Sequence, residues 1–192
     1  MEGYNSLFED EDFIVEHLFS APENESLIRT FSVSNDAMGL EIFLKEVASL
    51  EESSKQTRTY LIKDKFTKEL VCYFSMRTGL VTLQVENDAF DSLSAIELSN
   101  FAMNQTYKSA HPDVKKGGAY FFKRFILPLA QFVSEYVGVS TLYIYALPED
   151  KLMTHYAKMG FSRLPKDQER FVQSHIKPQY DEGCIFMYQT LV

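Results

Sequence analysis

The stretch Val114-Lys115-Lys116-Gly117-Gly118-Ala119 stands between a strand-like run and a long amphipathic helix, and its reading decides the fold. Small residues at 117–119 let the backbone come close to a ligand. The first N–H groups of the following helix have no intrahelical acceptor, so they point outward with the positive end of its dipole. Lys115 and Lys116 add charge beside them, and Lys108 stands nearby in sequence. These features describe a pyrophosphate cradle made by the backbone of residues 115–120, with Tyr120 in the first helical turn and no Walker lysine. The hexapeptide alone equally fits a plain helix start bounded by glycines.

Working outward, Phe122, Phe125, Ile126, Leu129, Phe132, Val133 and Tyr136 recur at helical spacing, with Lys123, Arg124, Gln131, Ser134 and Glu135 opposite. Pro128 lies inside this helix and is expected to bend it. Gly138 ends it, residues 139–146 read as a buried strand, 148–158 as a helix and 183–191 as a last strand. On the other side, 95–103 reads as a strand followed by a polar loop through Lys116. Residues 57–62 and 69–83 are strands joined by a hairpin turn at 64–68. Asn35 or Asp36 is expected to cap a helix running to about Ser53, and 27–33 looks like a short strand. Residues 1–26 are polar and acidic, an irregular or helical arm. Strands alternating with helices give a mixed α/β or α+β sheet in one domain, residues 27–192, preceded by the arm 1–26.

Composition narrows the class. The chain has 192 residues, 45% hydrophobic and 24% charged, with 8 Gly and 6 Pro. Collagen-like, low-complexity and wholly disordered chains are excluded. No apolar run approaches the roughly 20 residues of a membrane span. Met1-Glu2-Gly3-Tyr4 lacks the regions of a secretory signal, so a cytoplasmic protein without a membrane partner is expected. Cys72 and Cys184 form neither a disulfide framework nor a zinc set, and His17, His111, His155 and His175 fall at no metal-ligand spacing. No metal is expected. The net charge is −8, with thirteen acids against four bases in residues 1–60 and fourteen against fifteen in 61–192. An acidic surface repels nucleic acid, and here the acidity belongs to the first third.

Beyond the buried strand comes His155-Tyr156-Ala157-Lys158-Met159-Gly160-Phe161. With the first motif, this segment makes the chain resemble the GNAT acyltransferase superfamily over most of its length. That family's acetyl-CoA loop reads Gln or Arg, two residues, Gly, one residue, then Gly or Ala, and a later helix carries F-Y-x-K-x-G-F. Gly117 and Ala119 fill the small positions; Val114 replaces the Gln or Arg, and His155 stands where an aromatic is common. The resemblance implies an α/β (α+β) fold: a central mixed, mostly antiparallel sheet with a splayed strand pair and helices on both faces. It implies acetyl-CoA as co-substrate, with pantetheine held by main-chain groups of Phe101, Ala102 and Met103 and pyrophosphate by Val114, Lys115, Lys116, Gly117, Gly118, Ala119 and Tyr120. An amine then attacks the thioester directly. Tyr156 matches the family's general acid for the leaving thiolate; its other reading is a core tyrosine. Glu97, on the strand of the pantetheine contacts, is the best-placed carboxylate to take the amine's proton; otherwise it is a surface glutamate.

Two further segments resemble the toxin-like GNAT branch, whose members acetylate aminoacyl-tRNA and pair with a DNA-binding antitoxin. They are Phe31 to Asp36 with Phe43-Leu44, and Arg58-Thr59-Tyr60 with Tyr73-Phe74-Ser75. Ser34 and Cys72 stand where that branch has Gly. Lys108, Lys115, Lys116, Lys123 and Arg124 serve RNA or CoA phosphates equally well. Given the acidic first third, a small-molecule or protein amine leads as acceptor, and tRNA ranks second. A non-catalytic acyl-CoA-binding module stays open through Val114. Exposed edge strands favour a homodimer.

Overall fold

Phe13-Ile14-Val15-Glu16-His17 alternates buried with half-buried positions, the pattern of a strand with one face on a core. It forms β1 (Phe13–His17) in the computed structural model, which describes residues 8–85, 89–174 and 183–191. Part of the expected arm is therefore a sheet strand. Residues 1–7 of that arm, His175 and Val192 lie outside the described residues.

The next difference is helix α1 (Asn24–Arg29), where a strand over 27–33 was expected. Tertiary contacts override local propensity here. Asn24 and Ile28 are buried one turn apart, and Asn24 Nδ2 donates to the carbonyl of Leu18 at 3.2 Å. Helix α2 (residues 38–53) follows a 3₁₀ turn, Asn35–Ala37, and begins without a side-chain cap from Asn35 or Asp36. A wide π turn, Phe43–Val47, carries Leu44 inward within it.

β2 (Arg58–Asp64) pairs antiparallel with β1 and with β3 (Leu70–Gln84). The expected hairpin is present: Asp64 Oδ1 accepts from the N–H groups of Phe66 (2.8 Å) and Thr67 (3.0 Å), and Lys68 has a left-handed φ of 62°. β4 (Phe90–Met103) ends at Asn104, whose side chain caps α3 (Gln105–Ala110) by accepting from the N–H of Thr106. The expected polar loop thus contains a helix. Helix α4 (residues 118–134) follows, with a π turn at Phe122–Ile126 just before Pro128. Proline lacks the N–H that would bond to the carbonyl of residue 124, and the wide turn contains that carbonyl.

β5 (Thr141–Ala146) pairs parallel to β4 from Ala95 opposite Thr141 to Glu97 opposite Tyr143, and antiparallel to the last strand. Helix α5 (Asp150–Lys158), the short β6 (Ser162–Arg163), helix α6 (Lys166–Ser174) and β7 (Ile185–Thr190) complete the chain. The sheet order is β1-β2-β3-β4-β5-β7-β6, mixed and mostly antiparallel, as expected.

Met1–Arg77 with Ser99–Pro128 form one unit, and Thr78–Leu98 with Leu129–Val192 a second; β3, β4 and α4 contribute to both. In unit 1, Leu61, Tyr73 and Ala102 pack with Ile28, Leu44 and Ala48 of α1 and α2. On the other face, Phe13 meets Phe121 of α4 edge-on at 5.0 Å, and Phe121 is fully buried. Truncating such a ring typically costs about 3–5 kcal/mol. In unit 2, Val81, Ala95, Tyr143 and Phe186 pack with Val172 of α6.

Candidate active site

The start of α4 lies in unit 1 and is built to leave backbone open. Gly117 is the N-cap in an extended conformation (φ −98°, ψ −178°) and gives no side-chain cap. A β-carbon at this position would find nothing within 4 Å, so packing does not demand the glycine. Its smallness leaves space beside the amides of Gly118 and Ala119. The N–H of Tyr120 is already bonded to the carbonyl of Gly117 at 2.9 Å. Lys115 is exposed and Val114 half-buried, its N–H on the carbonyl of His111 at 3.1 Å.

The loop before the helix is anchored on the β2–β3 turn. His111 Nε2 lies 2.5 Å from Glu69 Oε2, and the Tyr107 hydroxyl donates to Asp64 Oδ2 at 2.6 Å. Burial alone would raise the pKa of Asp64. The Tyr107 hydrogen bond and the two turn N–H groups outweigh it and hold the carboxyl below its usual range.

The acidic segment docks on the same helix. Asp12 pairs with Lys116, and Asp10 accepts from the Tyr120 hydroxyl. Arg124 donates to the carbonyl of Glu9 at 2.6 Å, and Lys65 pairs with Glu9 at 2.8 Å. Lys116 also lies 5.1 Å from the Phe13 ring and 4.6 Å from the Tyr120 ring. Burial would raise the pKa of Asp10, but the hydrogen bonds from Tyr120 and from the N–H groups of Phe13 and Asp12 lower it overall. Lys116 is raised by Asp12. Two of the five basic residues of the sequence cluster are thus tied to the acids once expected to repel RNA. Lys108, Lys115 and Lys123 remain exposed. By unit the charge reads differently from the sequence halves: sixteen acids against thirteen bases, net −3, in unit 1, and eleven against six, net −5, in unit 2.

Phe101, Ala102 and Met103 also belong to unit 1. Ala102 points into the core while its neighbours are half-buried, which leaves this segment to act through its main chain. Asn104, which sequence reasoning missed, holds its end: its amide donates to the carbonyl of Leu70 at 2.7 Å, and its oxygen accepts from the N–H of Ser32 at 3.2 Å.

Tyr156 and Glu97 fall in unit 2. Tyr156 is half-buried on α5, its ring edge-on to Phe161 at 5.9 Å. Gly160, with φ of 102°, makes the turn that brings Phe161 back, and the Phe161 N–H bonds to the Tyr156 carbonyl at 3.1 Å. Burial raises the Tyr156 pKa above its ordinary 10.0. The phenol is thus a persistent hydrogen-bond donor and a reluctant proton source. Glu97 is 3% exposed, not a surface residue, and its Oε2 accepts from the Tyr143 hydroxyl at 2.9 Å. A cleft of about 480 Å³ borders α5, lined by Met153, Ala157, Phe161, Arg163 and Met187 among others; Tyr156 does not line it. Among the described residues no cluster of His, Cys, Asp and Glu could hold a metal, and no helix is long and apolar enough to cross a membrane.

No family model and no curated protein matches the chain. Solved structures do. A tyrosine-to-phenylalanine variant of the toxin AtaT, bound to the C-terminus of the antitoxin AtaR and acetyl-CoA, is 17% identical, covering 94% of each chain with a TM-score of 0.62. AtaT complexed with acetyl-methionyl-tRNAfMet is 14% identical, covering 93% of this chain and 95% of that one, with a TM-score of 0.65. A tyrosine-to-phenylalanine mutant of KacT is 16% identical, covering 94% and 96%, with a TM-score of 0.63. At such identities the fold is what is shared.

Proposed function

We infer that this chain, whose fold is that of the toxin-like GNAT acetyltransferases, transfers an acetyl group from acetyl-CoA to the amino group of an aminoacyl-tRNA. The observation that carries the acetyl-CoA reading is the uncapped start of α4, with open space at Gly117. Backbone amides and the helix dipole there suit a pyrophosphate, and Lys115 adds charge. The acceptor moves from second place to first for two reasons. A structural neighbour is a complex with acetyl-methionyl-tRNAfMet. The acidic first third, which argued against RNA, is partly neutralised: Glu9, Asp10, Asp12 and Glu16 each meet a cation from beyond residue 60. An antitoxin-type protein partner belongs to the same reading. The net negative charge of both units favours a cationic small-molecule or protein amine as the second reading.

The chemistry asks little of the protein beyond positioning. The neutral amine attacks the thioester carbonyl, the C–N bond forms and the C–S bond breaks. The amine's proton passes to Glu97, directly or through water. Tyr156, kept protonated by burial, donates a hydrogen bond to the sulfur as charge develops on it. Val114 in place of the family's polar residue leaves the cradle to the main chain.

The test is transfer of labelled acetyl from acetyl-CoA to charged tRNA, read on the N-acetyl-aminoacyl product. Label recovered only on small amines or on protein would displace tRNA as acceptor. Acetyl-CoA binding without any transfer would make the chain a binding module.

A further inference from the structure

A carboxylate as deep as Glu97 needs hydrogen-bonding partners to offset lost hydration. Its position is specific: it sits at the last registered pair of the parallel β4/β5 ladder, opposite Tyr143. Tyr143 is 5% exposed and donates its hydroxyl hydrogen to Glu97 Oε2 at 2.9 Å. A third strand supplies the room. A β-carbon on Gly79 of β3 would lie 2.1 Å from the Tyr143 hydroxyl oxygen and 2.5 Å from Cε1. Any side chain at 79 therefore drives the phenol off its place. Glycine inside a strand weakens it and marks close approach by another group, which here is Tyr143. Tyr145 and Phe186 hold the ring at 5.7 and 5.4 Å.

We propose that Tyr143 is a positioning residue for acetyl transfer: it occupies one oxygen of Glu97 and fixes the orientation in which the carboxylate meets the attacking amine, and Gly79 is the residue that admits it. This rests on the acetyltransferase reading with Glu97 as base. In that step the nitrogen lone pair forms the C–N bond, the amine proton moves to Glu97, and the C–S electron pair leaves on sulfur. Tyr143 keeps its proton and touches no substrate. Because it acts only through Glu97, its removal must be silent once Glu97 cannot accept a proton.

The experiment is a double-mutant cycle on the purified chain, reading kcat/KM for the acceptor, acetyl-CoA affinity and melting temperature for wild type, Tyr143→Phe, Glu97→Gln and the pair. Tyr143→Phe keeps the ring contacts and is expected to lower kcat/KM about tenfold with acetyl-CoA affinity unchanged. Glu97→Gln is expected to lower it about 10²-fold, with no further loss in the double variant. Gly79→Ala, which leaves Tyr143 intact but displaces it, should repeat the Tyr143→Phe loss. Full activity in Tyr143→Phe, multiplied losses in the double variant, or an active Glu97→Gln would each overturn the proposal. A wild-type chain that binds acetyl-CoA but transfers nothing would overturn the acetyltransferase reading itself, a distinct result.

Discussion

Unit 1 holds its candidate groups with charge, while unit 2 holds them with aromatic rings. In unit 1 the start of α4 is tethered by Asp12 to Lys116, Asp10 to Tyr120 and Glu9 to Arg124. Its loop is tied to the hairpin by Asp64 and Tyr107. In unit 2, Tyr156 leans on Phe161, and Tyr143 forms a cluster of mutually touching rings with Tyr145 and Phe186. A charged tether is adjustable by pH and salt; a ring cluster is not. Cofactor binding, which we propose for unit 1, should therefore answer to solution conditions, and the proposed catalytic groups of unit 2 to packing and to removal of single polar atoms.

The sharpest way to break this contrast is Gly117→Leu. A β-carbon added at 117 meets nothing within 4 Å, so melting temperature should hold while the side chain fills the space we propose for the phosphates. We expect acetyl-CoA affinity to fall more than about 100-fold by calorimetry, the loss of several charge-assisted hydrogen bonds. Unchanged affinity would remove the cradle from α4.

Next in size is Tyr156→Phe in unit 2. The ring and its contact with Phe161 stay, so acetyl-CoA affinity and stability should barely move. The loss should appear in kcat, about 10²-fold, because the hydrogen bond strengthens only as sulfur gains charge. Equal damage to melting temperature and kcat would make Tyr156 a core residue.

The pH response separates the units more gently. Asp10, Glu41 and Asp64 have lowered pKa values, all in unit 1. Groups shifted this way contribute stability above their unfolded values and lose it as pH falls through the folded ones. Amide exchange at about pH 3 against about pH 6 should thus show unit 1 opening first. Tyr107 and Tyr120 of unit 1 and Tyr156 of unit 2 are raised by burial. Their contribution is present below about pH 10 and lost above it, so alkaline destabilisation should reach both units. Acid opening that starts in unit 2 would refute the charge-held picture.

The smallest effect belongs to Asp12→Asn. The pair with Lys116 is partly exposed, and such pairs are worth about 0.2–1 kcal/mol, less at high salt. A drop in melting temperature that persists in molar salt would mean that Asp12 does more than pair charge.

Local pattern settled much of this protein. The helical period from Phe122 onward, the hairpin at 64–68 and the near-continuous apolar run of β5 are each carried by neighbours in sequence, so they are legible in the sequence itself. The glycines at the start of α4 and the Gly160-Phe161 turn were legible for the same reason: a helix start and a helix stop depend on residues a few places away. Other features depend on distant partners and were not. Residues 27–29 are helical because Asn24 and Ile28 find a core, against the strand that their composition suggested. The acidic first third looked like a repulsive surface until β1 laid Asp10 and Asp12 against Tyr120 and Lys116, far away in sequence. Glu97 read as either a base or a surface glutamate, and it is the fold that buries it, with the Tyr143 hydroxyl on one oxygen and Gly79 making room for that phenol. Propensity, period and turns are short-range properties of the chain, whereas burial and charge pairing are properties of what folding brings next to each residue, and only the tertiary structure decides them.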